Sequence, residues 1–446
     1  MKDSVLSSSD LVLRRRPGLV DRALQRALFS TLAHLEDGRL VFDDETGRHA
    51  FGRTTERFPD EVRVQVHHLG AYRKAVLGGS LGVAEAYVAG AFDVSCLVTL
   101  ARLFAGQPAL LGRLDGSLAR LSQPLHRLLH AGRRNTLRGS RRNIGAHYDL
   151  GNAFYRLWLD ETLSYSAAIF EHDGQPLAEA SRVKNERICR KLALGPGDHV
   201  LEIGTGWGAF ALHAAEVHGA RVTTTTISEE QHRFATELVR RRGLEGRVTV
   251  LYEDYRALTG RYDKLVSVEM IEAVGHEFFD TFFRRASELV ASDGCALIQS
   301  ITIRDQLYEA ARDGVDFIKA YVFPGSCIPS VTALLQSATR ASDLRLVHLE
   351  DLTPHYALTL RHWRERFLAA RAQVAALGFS EAFQRSWELY LAYCEAAFWE
   401  RYLGDVQLVL ARPGCRALPI LPALAPPAPR PDLTPGARAT RARSRA

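Results

Sequence analysis

Two hydrophobic periods run along this chain, and the change between them divides it. Near the start, Leu24, Leu28, Leu32 and Leu35 recur three or four residues apart, which predicts a helix with one apolar stripe. Leu40-Val41-Phe42 and Phe51 read as short strands, as do Val62, Val64 and Val66 alternating with Glu61, Arg63 and Gln65. Helical sequence punctuated by Gly78-Gly79, Gly82 and Gly90 follows. From about 195 to 300 the rhythm changes. Apolar or β-branched runs at His199–Ile203, Arg221–Thr226, Val248–Leu251, Lys264–Val268 and Cys295–Ile303 alternate with helical stretches around Phe210–Val217, Glu230–Arg241 and Phe278–Leu289. Strands separated by helices of this length predict parallel βαβ units and a doubly wound α/β sheet. Aromatic-rich helical sequence fills about 304–400, and Val406–Leu410 reads as one last strand. The expected organisation is a smaller, mainly helical domain over 1–135 and a sheet domain over 136–412 with a helical insertion at 304–400. A tail over 413–446, rich in Pro, Ala and Arg, is expected to be disordered.

Composition adds little to the class and something to the partner. Of 446 residues, 46% are hydrophobic and 24% charged, as in ordinary globular proteins. The net charge of +6 favours an acidic partner, either nucleic acid or an anionic membrane. Arg133, Arg134, Arg138, Arg141 and Arg142 concentrate in a connector that reads either as a solvated linker or as a phospholipid headgroup contact. Because the arginines fall in linker and tail rather than among interleaved aromatics, nucleic acid is not expected. The six cysteines form no CxxC pair, which argues against a disulfide framework and a zinc site; no metal is expected. No apolar run is long enough to span a bilayer, and the residues before Arg14-Arg15-Arg16 lack a signal-peptide core. The expected location is cytoplasmic, with peripheral membrane contact and a homodimer left open.

The sharpest local motif is Glu202-Ile203-Gly204-Thr205-Gly206-Trp207-Gly208, between a predicted strand and a predicted helix. Alternating glycines let the backbone turn tightly and approach a ligand closely. A dinucleotide loop would carry its acid at the end of the second strand, but Thr224-Thr225-Thr226 stands there. An acid on the first strand followed by G-x-G-x-G is the usual pattern of S-adenosylmethionine (SAM) methyltransferases, and Glu202 fills that place. SAM is therefore the expected cofactor.

Further motifs narrow the class. They are Ala146-His147-Tyr148-Asp149-Leu150-Gly151-Asn152, Leu163-Ser164-Tyr165-Ser166, Thr226-Ile227-Ser228-Glu229-Glu230-Gln231, Val268-Glu269-Met270-Ile271-Glu272-Ala273-Val274-Gly275, Tyr321-Val322-Phe323-Pro324-Gly325 and Tyr393-Cys394-Glu395-Ala396-Ala397-Phe398. Together, over roughly 130–412, they resemble the cyclopropane-fatty-acyl-phospholipid synthases, a family that includes the mycolic acid cyclopropane synthases. Gly79-Ser80-Leu81-Gly82 through Glu85-Ala86-Tyr87 resembles the helical domain of the phospholipid-acting members. The resemblance implies a class I, Rossmann-like methyltransferase fold. It implies SAM contacts at Tyr148, Tyr165, Ser166, Gly204, Gly206, Thr226, Gln231, Asp254 and Tyr255, beside the Glu202 and Gly208 of the loop.

The chemistry implied is methylene transfer to the cis double bond of an unsaturated phospholipid acyl chain. An alkene attacking the methyl carbon of SAM leaves a carbocation, which calls for a dry pocket lined with π-faces. The aromatic residues of 308–402, among them Tyr308, Tyr356, Trp363, Phe367, Trp387 and Phe398, are the expected lining. The resemblance further implies a bound bicarbonate as proton acceptor, held by Glu272, Gln299, Tyr356 and the backbone of Ile301, with Cys394 in a supporting role. Three positions depart from the family pattern: Gln299 and Ala273 stand where many members have His, and Ala167 where some have Cys. A weakened base leaves open a methylene- or methyl-branched product. Other readings are a small-amine methyltransferase and a SAM- or lipid-binding protein without turnover.

Overall fold

A computed structural model describes residues 19–114, 116 and 150–416. Tyr148, the Arg133–Arg142 connector and all of the tail beyond residue 416 lie outside the described residues.

The first unit wraps helices around a small sheet of order β2-β1-β3-β4, with β1 Gly38–Asp44, β2 Gly47–Arg53, β3 Glu61–Val66 and β4 Phe92–Val94. The valine alternation holds: Val62, Val64 and Val66 are buried and the residues between them are not. The predicted apolar stripe lies on helix Leu19–Leu32, whose Leu28 and Leu32 are buried. Helix Gly70–Val88 bends where Gly79 takes φ +58, a conformation that glycine adopts cheaply.

The second unit is built on a seven-stranded sheet of β5 His199–Ile203, β6 Arg221–Thr226, β7 Val248–Tyr252, β8 Tyr262–Val268, β9 Val290–Ile303, β10 Arg345–Asp351 and β11 Leu403–Ala411. Its order is β10-β11-β9-β8-β5-β6-β7. The strands from β9 to β7 are parallel, and β11 runs antiparallel between β9 and β10. This is the doubly wound α/β sheet expected from the strand–helix rhythm. Both faces are covered, which is why its central strands read as continuous apolar runs. Ile188, Phe210 and Ala214 close one face against Val222 and Leu297, and Phe282 and Phe283 belong to the core on the other. Strand β10 was not expected inside the helical stretch 304–400. It is an edge strand whose side chains alternate between half-buried and exposed, so it carries little apolar signal.

Strand order reverses at β5, between β6 and β8, and their carboxyl ends open a crevice there. Helices Thr353–Ala369 and Glu381–Trp399 pack over it. The N-terminal unit docks on the outer of these helices through helix Leu97–Ala105. Buried Glu400 accepts from Arg102 (2.7 Å) and from Arg57, while Arg385 donates to the carbonyls of Tyr87 and Phe92 (2.7 Å each). One apolar core runs through both units. Among the described residues, no helix is long and apolar enough to cross a membrane.

Candidate active site

A single cavity of about 810 Å³ starts at the glycine loop, passes the ends of β8 and β9, and continues into the N-terminal unit. Its volume falls in the upper part of the range for small-molecule sites, ~300–1,000 Å³.

The cofactor end grows out of β5. Gly204, Gly206 and Gly208 have φ of +107°, +53° and +95°, which turn the chain from strand to helix Ala209–His218. The amides of Gly204 and Thr205 donate to Thr225 O (3.0 and 3.1 Å), pinning the loop to β6. A Cβ on Gly206 would meet nothing within 4 Å, so that face of the loop is open. Behind the loop Glu202 accepts from Thr224 (2.6 Å); burial pushes its carboxyl up to about 8. Thr226 donates to Gln231 (2.8 Å), and Ser228 caps the helix carrying Gln231. Asp254 is bridged by Arg256 through two hydrogen bonds of 2.8 and 2.7 Å, so it faces the cavity as half of an ion pair. The buried Tyr255 hydroxyl has no partner among the described residues. Tyr165 and Ser166 line the same space, with Tyr165 hydrogen-bonded to Tyr390 (2.8 Å). Every expected SAM contact within the described residues except Gly208 therefore borders one cavity; Gly208 starts the helix behind it.

The acyl end is apolar and assembled from distant segments. Leu97, Leu100 and Phe104 of the N-terminal unit line it together with Phe323 and with Tyr393 and Phe398 of helix Glu381–Trp399. Not every expected aromatic takes part. Trp363, Phe367 and Trp387 instead build a packed aromatic core with Phe154 and Trp158, and Tyr308 bonds His276 (2.6 Å). Cys394 lines the cavity, its thiol pushed up by burial, which suits an unreactive wall residue.

Between the two ends lies a group of buried acids. Glu272, in the turn after β8, accepts from the Ile301 amide (2.5 Å) and Ser300 Oγ (2.8 Å), and its other oxygen is buried with no partner among the described residues. Burial, then the neighbouring Glu269, pushes its carboxyl up to about 8. Tyr356 donates to Glu269 (2.7 Å), and Gln299 donates to Glu269 (2.8 Å) and to Asp405 (3.2 Å). Lys184 is the buried cation facing Glu269, Glu202 and Asp405.

These contacts correct the bicarbonate expectation. The hydrogen-bond donors meant to seat that anion, from Gln299, Tyr356 and the Ile301 amide, are all directed to Glu269 and Glu272. With those donors taken by the protein's own carboxyls, a bicarbonate would find none of them free, so the residues present do not fit it. Motif reading also passed over Glu269 itself. The signal was its position three residues before Glu272, a spacing that a tight turn brings onto one side. Elsewhere the fold gathers Cys189, His213 and His218, whose ligand atoms lie within 4.8 Å of one another, a cluster that sequence spacing did not reveal. Both imidazoles bond Glu186 (3.1 and 2.8 Å), outside the cavity.

Comparisons with known proteins agree with this geometry. The family profile for mycolic acid cyclopropane synthetase matches residues 135–408, more than half of the chain. A tuberculostearic acid methyltransferase from Mycobacterium tuberculosis is 38% identical over 397 residues, covering 87% of this chain and 91% of its own. The cyclopropane-fatty-acyl-phospholipid synthase of Escherichia coli K12 is 34% identical over 357 residues, covering 79% and 88%. A mycolic acid cyclopropane synthase solved with S-adenosylhomocysteine (SAH) and CTAB superposes with a TM-score of 0.57 at 31% identity, over 61% of this chain and 98% of its own.

Proposed function

Since the chain belongs to the mycolic acid cyclopropane synthetase family and is a SAM-dependent methyltransferase, we propose that it methylates the double bond of an unsaturated acyl chain. The substrate we propose is a phospholipid-borne cis-monounsaturated chain, reached by peripheral contact with a membrane. The observation that carries this reading is the continuity of the cavity, from the glycine loop past the acid cluster into an apolar bore.

SAM supplies an electrophilic methyl carbon on a sulfonium. The protein's part is to hold the alkene against that carbon and to protect the cation left in the acyl chain. The rings of Tyr356, Tyr390 and Phe398 line the middle of the cavity, and aromatic rings stabilise positive charge through their π-faces. An ionised Glu269 beside them adds to that field, and the apolar walls exclude water that would quench the cation.

Ring closure and methylene formation both complete such a reaction. We favour the methylene-branched product. Gln299 stands where many family members carry an ionisable His, and the relative that is 38% identical over 87% of the chain is named a tuberculostearic acid methyltransferase, whereas the cyclopropane synthase that covers 79% is 34% identical. The test is to incubate purified protein with methyl-labelled SAM and oleoyl phospholipid vesicles, then analyse the acyl chains by mass spectrometry and NMR. A gain of one CH₂ with olefinic methylene protons supports the reading. Cyclopropyl protons would replace the product but keep the substrate, and an unmodified acyl pool would refute both.

A further inference from the structure

The half-buried carboxyl of Glu269 takes the hydrogen bonds of Gln299 and Tyr356, which the family resemblance assigns to an external anion. Glu269 directly follows β8 with φ +48°, a left-handed conformation uncommon outside glycine, and its amide donates to Gln299 O (2.8 Å). Strain of this kind persists where the surroundings over-determine it, often at functional sites. Its side chain lines the cavity. Oε1 accepts from the Ala167 amide and from Gln299 Nε2 (2.8 Å each), and Oε2 accepts from the Tyr356 hydroxyl (2.7 Å). Oε2 thus has one hydrogen bond and keeps lone-pair capacity for a further proton. Burial pushes the carboxyls of both Glu269 and Glu272 up, that of the more deeply buried Glu272 to about 8.

We infer that Glu269 is the proton acceptor of this reaction, built into the chain where a bound bicarbonate would otherwise act. The inference rests on the alkene-methylation reading above. When the alkene attacks, its electron pair forms the new C–C bond, the C–S bond breaks to give SAH, and the adjacent acyl carbon becomes cationic. A hydride shift from the methylated carbon moves the charge onto that carbon. One C–H bond of the new methyl group then breaks. Its electron pair forms the exocyclic C=C, and the proton goes to Glu269, leaving a neutral carboxylic acid and a neutral acyl chain. No oxidant or reductant is consumed. The Tyr356, Gln299 and Ala167 donors hold the carboxylate at the end of β8 while this happens.

The test uses full-length protein, oleoyl phospholipid vesicles and decarbonated buffer, with and without added bicarbonate. The wild-type rate is expected to be the same in both. Glu269→Gln is expected to lower kcat by about 100-fold or more, the usual contribution of a general base, while SAH affinity by calorimetry stays within about threefold. Glu269→Gly opens the seat, and added bicarbonate is expected to restore a large part of the lost rate. The wild-type arm needs no variant, and SAH binding reports whether each variant is folded. A wild-type rate that rises severalfold with bicarbonate, or Glu269→Gln keeping near-normal kcat, overturns the inference while leaving alkene methylation intact. A wild type that methylates no acyl chain overturns both.

Discussion

The two ends of the cavity are made in opposite ways. The cofactor end is polar and comes almost entirely from one stretch, Glu202 to Arg256, in which each strand delivers its residues to the same sheet edge. The acyl end is apolar and comes from segments hundreds of residues apart: helix Leu97–Ala105, the ends of β8 and β9, and helix Glu381–Trp399. The first is specified by local backbone geometry, by glycines at positive φ and by a helix cap. The second exists only because Glu400, Arg57 and Arg102 and a shared apolar core dock the N-terminal unit onto the helical cover. The two ends are therefore open to separate damage.

The largest separation comes from charging the acyl end. Phe104→Asp places a carboxylate in the apolar bore, and kcat/KM for acyl lipid is expected to fall by more than about 100-fold. SAH affinity, read by calorimetry, should stay within about threefold. Equal losses in both would mean that the ends are not independent. Gly204→Val is the converse. Its φ of +107° excludes a β-branched residue and its Cβ would crowd Met270 at 3.4 Å, so about 1–3 kcal/mol of strain falls on the cofactor end. SAH binding should weaken about 10- to 100-fold. Unchanged SAH affinity would show that the loop is not the cofactor seat.

The docking contact is the next step down. Glu400→Gln leaves the Arg57 and Arg102 guanidiniums without their shared carboxylate, at a cost of about 1–2 kcal/mol that should lower Tm by about 1–2 °C. Acyl turnover should fall more than SAH binding.

A smaller effect is a slope with pH. Burial holds Glu202 and Glu272 protonated in the folded protein up to about 8, whereas in the unfolded chain they ionise near the ordinary carboxylate value. The stability these two groups contribute is therefore full below about pH 4 and is lost as pH rises towards 8. Glu272→Gln removes one of these losses, so its Tm relative to wild type should rise between about pH 5 and 8. Parallel curves for the two proteins would contradict a burial-driven shift. Smallest of all, Cys394→Ser should change kcat by less than about twofold, since the thiol is a wall residue.

How much of this was legible in the sequence follows the same division. The parallel strands, the glycine loop, Thr226 with Gln231, and Glu272 were all readable because short-range pattern determines them. Strand β10 was not, since an edge strand with half-exposed faces looks like helical sequence. Nor was the sorting of the aromatics: Tyr356 and Phe398 face the cavity while Trp363 and Trp387 are packed among other rings, and only tertiary placement decides which. The bicarbonate expectation failed for a related reason. The residues meant to hold the anion were identified, but the carboxylate that takes their hydrogen bonds was in plain sight one turn earlier. Its role depends on Tyr356, 87 positions away.

The most direct test of one cavity with two ends is a crystal structure of the protein with SAH and a cis-octadecenoyl phospholipid bound together. The account predicts SAH against Gly204 and Gly206, the double bond between the sulfur of SAH and Glu269, and the chain running on past Leu100 and Phe104. An acyl chain lying outside the cavity, or a double bond remote from both SAH and Glu269, would contradict it.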